Sequence, residues 1–124
     1  MKQTNYTVLT NEPVGRDTYR LRLSGDSSAI TAPGQFVNLR IDGLFLRRPI
    51  SVCDWEPGAA TLIYKVLGHG TAAMTHLPAG TELDVLTGLG NGYDPSAARG
   101  RRTVLIGGGV GVPPLYGLAR RLAL

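Results

Sequence analysis

The sequence holds a single cysteine, Cys53, with two histidines and one tryptophan among 124 residues. One cysteine excludes an intrachain disulfide, and it cannot supply the set of thiolates that an iron–sulfur cluster takes. Neither His69 nor His76 stands with Cys, Asp or Glu at metal-ligand spacing, so no metal site is expected. Aromatic residues are only 6% of the chain, and no aromatic ladder accompanies the scattered arginines, which argues against a nucleic-acid partner. No apolar run approaches the ~20 residues of a membrane helix. The opening Met1-Lys2-Gln3-Thr4-Asn5-Tyr6 has no apolar stretch of the kind a secretory signal needs. The expected location is the cytoplasm, with no membrane contact. No nucleophile triad or carboxylate pair stands out, and no residue is assigned a catalytic role.

Turn formers are abundant instead: 17 glycines and 8 prolines, beside 43% hydrophobic residues. That combination suits a barrel of short strands. Candidate strands run over 6–11, 18–24, 35–41, 50–54, 61–67 and 82–87. Tyr19, Leu21 and Leu23 alternate with Arg20, Arg22 and Ser24, the period of a sheet with one wet face. Pro33-Gly34 and Pro57-Gly58 supply turns. A short helix is expected over 71–77, with Met74 and Leu77 on one buried face and Pro78-Ala79-Gly80 stopping it. The net charge of +4 reads as a mixed surface with positive charge near an anionic ligand. Arg99, Arg101 and Arg102 read as a solvated loop, with a partner or nucleotide contact as the alternative.

The pattern changes near residue 99. Thr103-Val104-Leu105-Ile106 is a continuous apolar run, as in a parallel strand buried on both faces. Gly107 to Gly111 turns the chain, and Pro113 suits the first turn of a helix. Leu115, Leu118, Ala119 and Leu122 follow at helical spacing. This reads as the first β-α unit of an α/β nucleotide-binding domain, although Pro114 stands where the last glycine of the dinucleotide fingerprint would be. The division expected is 1–98 for a barrel and 99–124 for the start of a second domain. One strand and one helix cannot bury two sheet faces, so the chain is expected to be a fragment or truncated product.

Two stretches carry chemistry. Arg47-Arg48-Pro49-Ile50-Ser51 reads as a turn that offers a guanidinium and a hydroxyl beside a stiffening proline. Gly68-His69-Gly70-Thr71 reads as a helix start whose free N–H groups suit a phosphate. Together they describe a site for a diphosphate joined to a planar, hydrogen-bonding ring, and a flavin dinucleotide meets both requirements.

At these residues the chain resembles the ferredoxin-reductase-like flavoproteins. Asp84-Val85-Leu86-Thr87-Gly88-Leu89-Gly90-Asn91-Gly92-Tyr93 and Gly107-Gly108-Gly109-Val110-Gly111-Val112-Pro113-Pro114-Leu115-Tyr116 look like the electron-transfer subunits of bacterial NAD-dependent dihydroorotate dehydrogenases. The resemblance covers essentially the whole chain, as the N-terminal half of such a subunit. It implies a mainly β fold, an antiparallel FAD-binding barrel of ferredoxin-reductase type, and FAD as cofactor. Arg48, Gly70 and Thr71 would then meet the diphosphate, and Ser51 the flavin edge. Pro49 and Ile50 would shape that wall, with Ile63, Tyr64 and Lys65 lining the flavin and ribityl side. Ile50 departs from the wider superfamily, which places an aromatic residue there. Gly108, Gly109, Val110 and Gly111 would form part of an NAD loop.

The implied role is electron transfer in pyrimidine biosynthesis. Electrons would pass from an FMN-containing dihydroorotate dehydrogenase catalytic subunit, in a heterotetramer, over a 2Fe-2S cluster to FAD and on to NAD. Ligands for that cluster are absent from this sequence. Two other readings stay open: a related NADH-dependent ferredoxin or sulfide reductase subunit, and a flavin-free binding module left by truncation.

Overall fold

The protein is described by a computed structural model covering residues 1–123. Six strands are formed: β1 (Lys2–Gly15), β2 (Thr18–Ser24), β3 (Phe36–Leu39), β4 (Arg48–Glu56), β5 (Ala59–Lys65) and β6 (Glu82–Leu89). They close into a barrel in the order β1-β2-β5-β4-β3-β6, and every pairing is antiparallel. The barrel expected from the turn-rich composition is present. Closure rests on the length of β1. Lys2 to Thr7 pair with β6, and Thr7 to Gly15 pair with β2. Register shifts after Val8 and Pro13 let the strand bend between its two partners. Between Glu56 and Ala59 the chain reverses in two residues, and Gly58 takes the positive φ of 82° that the second corner of a Pro-Gly turn requires.

Period-two alternation fills the interior. Leu21 and Leu23 of β2, Val37 and Leu39 of β3, Ala60, Leu62 and Tyr64 of β5, and Leu83 and Val85 of β6 form one core with Tyr6 and Val8. Each large side chain taken fully from water contributes about 1.5–3 kcal/mol. The two buried tyrosines find partners for their hydroxyls. Tyr6 donates to the Asp26 carbonyl at 2.6 Å and Tyr64 to Asn11 Oδ1 at 2.9 Å. Burial pushes both phenols up to about 12.

A short helix, α1 (His69–Met74), links β5 to β6 and drops Met74 into the core. It begins two residues before the expected 71–77, because extended Gly68 serves as its N-cap and the Thr71 hydroxyl accepts the Gly68 N–H at 3.2 Å. Beyond Met74 the chain continues in single turns, with Thr75, His76 and Leu77 each donating three residues back. Arg48 and Pro49, expected in a turn ahead of the strand at 50–54, are instead the first residues of β4. Pro49 is tolerated there because a proline at the start of a strand gives up few ladder bonds.

The larger correction concerns 103–106. No strand forms there, and Val104 and Ile106 are 81% and 88% exposed. A parallel strand needs a neighbour to take its N–H and C=O groups, and none is supplied among the described residues. The helix that follows does form, as α2 (Pro113–Leu122), and it packs against β4 of the barrel. Leu124, the last residue of the expected second unit, lies outside the described residues. Among the described residues no helix is long and apolar enough to cross a membrane.

On the outside of the barrel Arg47, just before β4, ties β3 to β6. Its Nη2 donates to Asp84 Oδ1 at 3.0 Å, and its Nη1 to the carbonyls of Asp84 and Asn38 at 3.1 and 3.4 Å. Gln3 donates to the same carboxylate at 2.8 Å. Burial alone would raise the Asp84 carboxyl, but the hydrogen bonds from Arg47 and Gln3 outweigh it and hold the group below its ordinary range. A depressed folded-state pKa adds stability above the unfolded carboxylate range, and that stability is lost as pH falls through the folded value. Asp84→Asn should therefore unfold at lower urea than the parent at pH 7, and the gap should narrow as the pH is taken toward 3. A gap independent of pH would assign the loss to packing alone.

Candidate functional site

Arg47 and Arg48 are neighbours in sequence with opposite fates. Arg47 is spent on the Asp84 tie, whereas Arg48 turns toward the start of α1. Its guanidinium lies directly over Gly70: a Cβ on Gly70 would overlap Nε and sit 2.7 Å from both Cδ and Cζ. Glycine here makes room for an arginine. The hydrogen bonds of Arg48 all leave from Nη1, to the carbonyls of Leu46 at 2.7 Å and Arg47 at 3.4 Å. Gly70 is buried and Arg48 half-buried by this contact.

The loop before α1 is shaped by Thr71. Its hydroxyl accepts from the Leu67 N–H at 2.8 Å and lies 3.3 Å from the Gly68 carbonyl, to which it can donate. The opposite end of α1 is held from β1, where Asn11 Nδ2 donates to the carbonyls of Met74 at 2.7 Å and Leu77 at 3.3 Å. Since Asn11 also accepts from Tyr64, a buried chain runs from β5 through β1 to the helix. Asn11 escaped the sequence reading because a lone asparagine in a strand pattern carries no motif; only the fold brings it to α1.

The other candidates divide by the alternation of their strands. In β4, Ile50 packs against the core, so Pro49 and Ser51 face outward. In β5, Tyr64 is 1% exposed and stacks on Tyr19 with ring centroids 5.7 Å apart. Ile63 and Lys65 consequently face outward. With Val52 opposite Leu62 in the β4–β5 ladder, Ser51 and Ile63 occupy adjoining outward positions on neighbouring strands. Ile50 and Tyr64 offer this outer face only their backbones.

A cleft of about 570 Å³ continues from Ile63 along the outer wall, lined by Arg20, Arg22, Asp54, Trp55, Thr61 and Tyr116 among others. Gly109–Gly111 forms a tight turn that touches β5 and leads into α2. Gly108, Gly109, Val110 and Gly111 are all exposed, and Gly109 takes a φ of 57°. The structure thus joins Arg48, Gly70 and Thr71 in one cluster. It sets Pro49, Ser51, Ile63 and Lys65 on one outer face, and it brings the glycine turn to β5.

No family model matches the chain. Curated relatives do. Over 98% of its length the chain is 44% identical to the "dihydroorotate dehydrogenase B (NAD(+)), electron transfer subunit" of a Geobacillus species, covering 50% of that protein. The same-named subunit of Fusobacterium nucleatum is 43% identical over 98% of the chain and 49% of its own length. The chain is a homologue of these electron transfer subunits. It spans about half the length of the relatives it matches. Solved structures agree on the barrel. A cytochrome P450 reductase from Amycolatopsis superposes with a TM-score of 0.79 at 26% identity, over 97% of this chain and 39% of its own. An NADH-dependent reduced ferredoxin-NADP oxidoreductase gives 0.80 at 27%, over 95% and 44%. These relatives are oxidoreductase components, and the fold is the ferredoxin-reductase-like one that the motifs resembled.

The seat of Arg48 generates a coupling test. In an open helix, glycine to alanine would be stabilising. At Gly70 the methyl must displace Arg48, so Gly70→Ala should cost about 1–3 kcal/mol of the overpacking kind. In an Arg48→Ala background that cost should vanish or reverse sign in urea unfolding. Equal costs in both backgrounds would mean that Arg48 does not rest on Gly70.

Proposed function

We propose that this chain is the flavin-holding part of an electron-transfer subunit, seating FAD through Arg48 and the first turn of α1. The observation that carries the reading is the packing of a half-buried guanidinium on Gly70, where a side chain is excluded. A diphosphate suits that donor set: a forked cation beside the helix-start N–H groups that have no intrahelical partner. The Thr71 hydroxyl shapes the loop beneath. Ser51 and Ile63, side by side on the outer face, offer a hydroxyl and an aliphatic surface to a planar ring. Pro49 and Lys65 extend that face, and Ile50 and Tyr64 support it from the core side.

When bound, FAD supplies the redox chemistry, exchanging electrons singly or in pairs. The chain's own work is to bind it, orient it and shape its surroundings, for which no general acid or nucleophile is needed. The resemblance to such subunits extends the reading to a whole protein. Its electrons would come from dihydroorotate, through an FMN-bearing catalytic subunit in a heterotetramer, during pyrimidine biosynthesis in the cytoplasm. NAD would be the acceptor, approached by the loop Gly108, Gly109, Val110 and Gly111 at the start of a second unit over 99–124. No step is assigned here to a 2Fe-2S cluster, because Cys53 is the sole cysteine and is buried. Copurification with a subunit that oxidises dihydroorotate would separate this role from that of a ferredoxin-linked reductase.

Titration of the apo-protein with FAD tests the site. Charge-assisted hydrogen bonds are worth about 1.5–3 kcal/mol, so Arg48→Ala should weaken affinity by about tenfold or more. Unchanged affinity would remove Arg48 from the site. Ser51→Ala should keep FAD but slow its reduction; an unaltered reduction rate would place Ser51 away from the flavin edge.

A further inference from the structure

We propose that Asp54 anchors a detachable wall: its carboxylate holds α2 on the barrel and so keeps Tyr116 over the outer cleft opposite Ile63. The proposal goes beyond the flavin reading, since it holds whichever ligand the cleft takes.

Two successive arginines of α2 converge on this one carboxylate. Arg120 Nη1 is paired with Oδ2, and Arg121 Nη1 stands 3.6 Å from Oδ1. Among the described residues these are the only side-chain ion pairs or hydrogen bonds from α2 to the barrel. Arg121 also lays its guanidinium over the Trp55 ring, 3.4 Å from the centroid, an arrangement that favours a cation above an aromatic face. Gly117 lets the helix approach closely. A Cβ there would come within 3.0 Å of the Cys53 carbonyl and 3.7 Å of Trp55.

The attachment is built to open. Asp54 Oδ1 is shut away from solvent yet has no hydrogen-bond partner, because Arg121 stops short of it. The Arg120 side chain is 53% exposed, so salt screens its half of the pair. Tyr116 rides on the same helix, 54% exposed at the lip of the cleft. Release of α2 would remove that ring from the cleft that Ile63 also lines and uncover the outer face of β4.

Two residues report on the contact, and each is the only one of its kind in the chain. Trp55 carries the Arg121 guanidinium. Cys53 is 7% exposed, stands outside the barrel's core cluster and lines the same cleft as Tyr116, with its backbone carbonyl against Gly117 of α2. Burial, and then the neighbouring Asp54 charge, raise its thiol pKa, which slows alkylation further while the helix is docked.

The experiment follows iodoacetamide labelling of Cys53 and the emission of Trp55 in the cofactor-free 124-residue chain. Asp54→Ala and the double variant Arg120→Ala/Arg121→Ala should label on the order of tenfold faster than the parent, with a shifted Trp55 emission. Raising salt from about 0.1 M to about 1 M, which cuts the screening length from about 10 Å to about 3 Å, should speed labelling of the parent but not of Asp54→Ala. If Asp54→Ala does not fold, the double arginine variant decides, since both changes lie on the helix. Parent-like labelling and emission in that variant, with the same thermal unfolding of the barrel, would overturn the proposal. A chain that takes no FAD would leave it standing, because no cofactor is present in the assay.

Discussion

Closure of the barrel is the constraint on which the remaining features depend. β1 is long enough to pair with β6 through Lys2–Thr7 and with β2 through Thr7–Gly15, and without that double pairing the sheet would end in two open edges. Once closed, the barrel has one interior, which the alternating residues of its strands fill. Everything of chemical interest is pushed to the outside wall or to the connection between β5 and β6. That connection carries α1, whose Met74 is buried in the core and whose final carbonyls are held by Asn11 of β1. The start of α1 is thereby fixed against the first residue of β4, where Arg48 waits.

The Arg47-Arg48 pair shows how adjacent, identical side chains come to do different work. Arg47 lies just before β4 and Arg48 is its first residue, and the two side chains leave the backbone in different directions. One guanidinium is consumed in a half-buried tie with Asp84 and two carbonyls; the other lies on a glycine with most of its donors free of protein acceptors. Their roles are not interchangeable, and their partners distinguish them: Asp84 for Arg47 and Gly70 for Arg48.

Much of the barrel was legible because its information is local. Alternation in 18–24 marks β2 to the residue, and the Pro-Gly pair at 57–58 gives the β4–β5 hairpin. Strand ends elsewhere shifted, as for β4, which begins at Arg48 instead of Ile50. The motifs at Arg48 and Gly70 were visible as separate pieces, but their direct contact depends on closure and has no sequence signature. Asn11 and Asp54 were illegible for the same reason. Each acts on an element that is remote in sequence: the helix end at Met74, and the arginines at 120 and 121. The apolar run at 103–106 was misread as a formed strand because composition reports preference, while a strand also needs a partner.

In the proposed FAD site the Arg48–Gly70 contact lies at the start of β4 beside α1, and the ring face lies on the outer wall of β4 and β5. A crystal structure of the chain with FAD tests this most directly. The prediction is a diphosphate held between the Arg48 guanidinium and the first turn of α1, with the ring system lying along Ser51 and Ile63. A flavin bound elsewhere, with Arg48 still stacked on Gly70 and touching no phosphate, would contradict it.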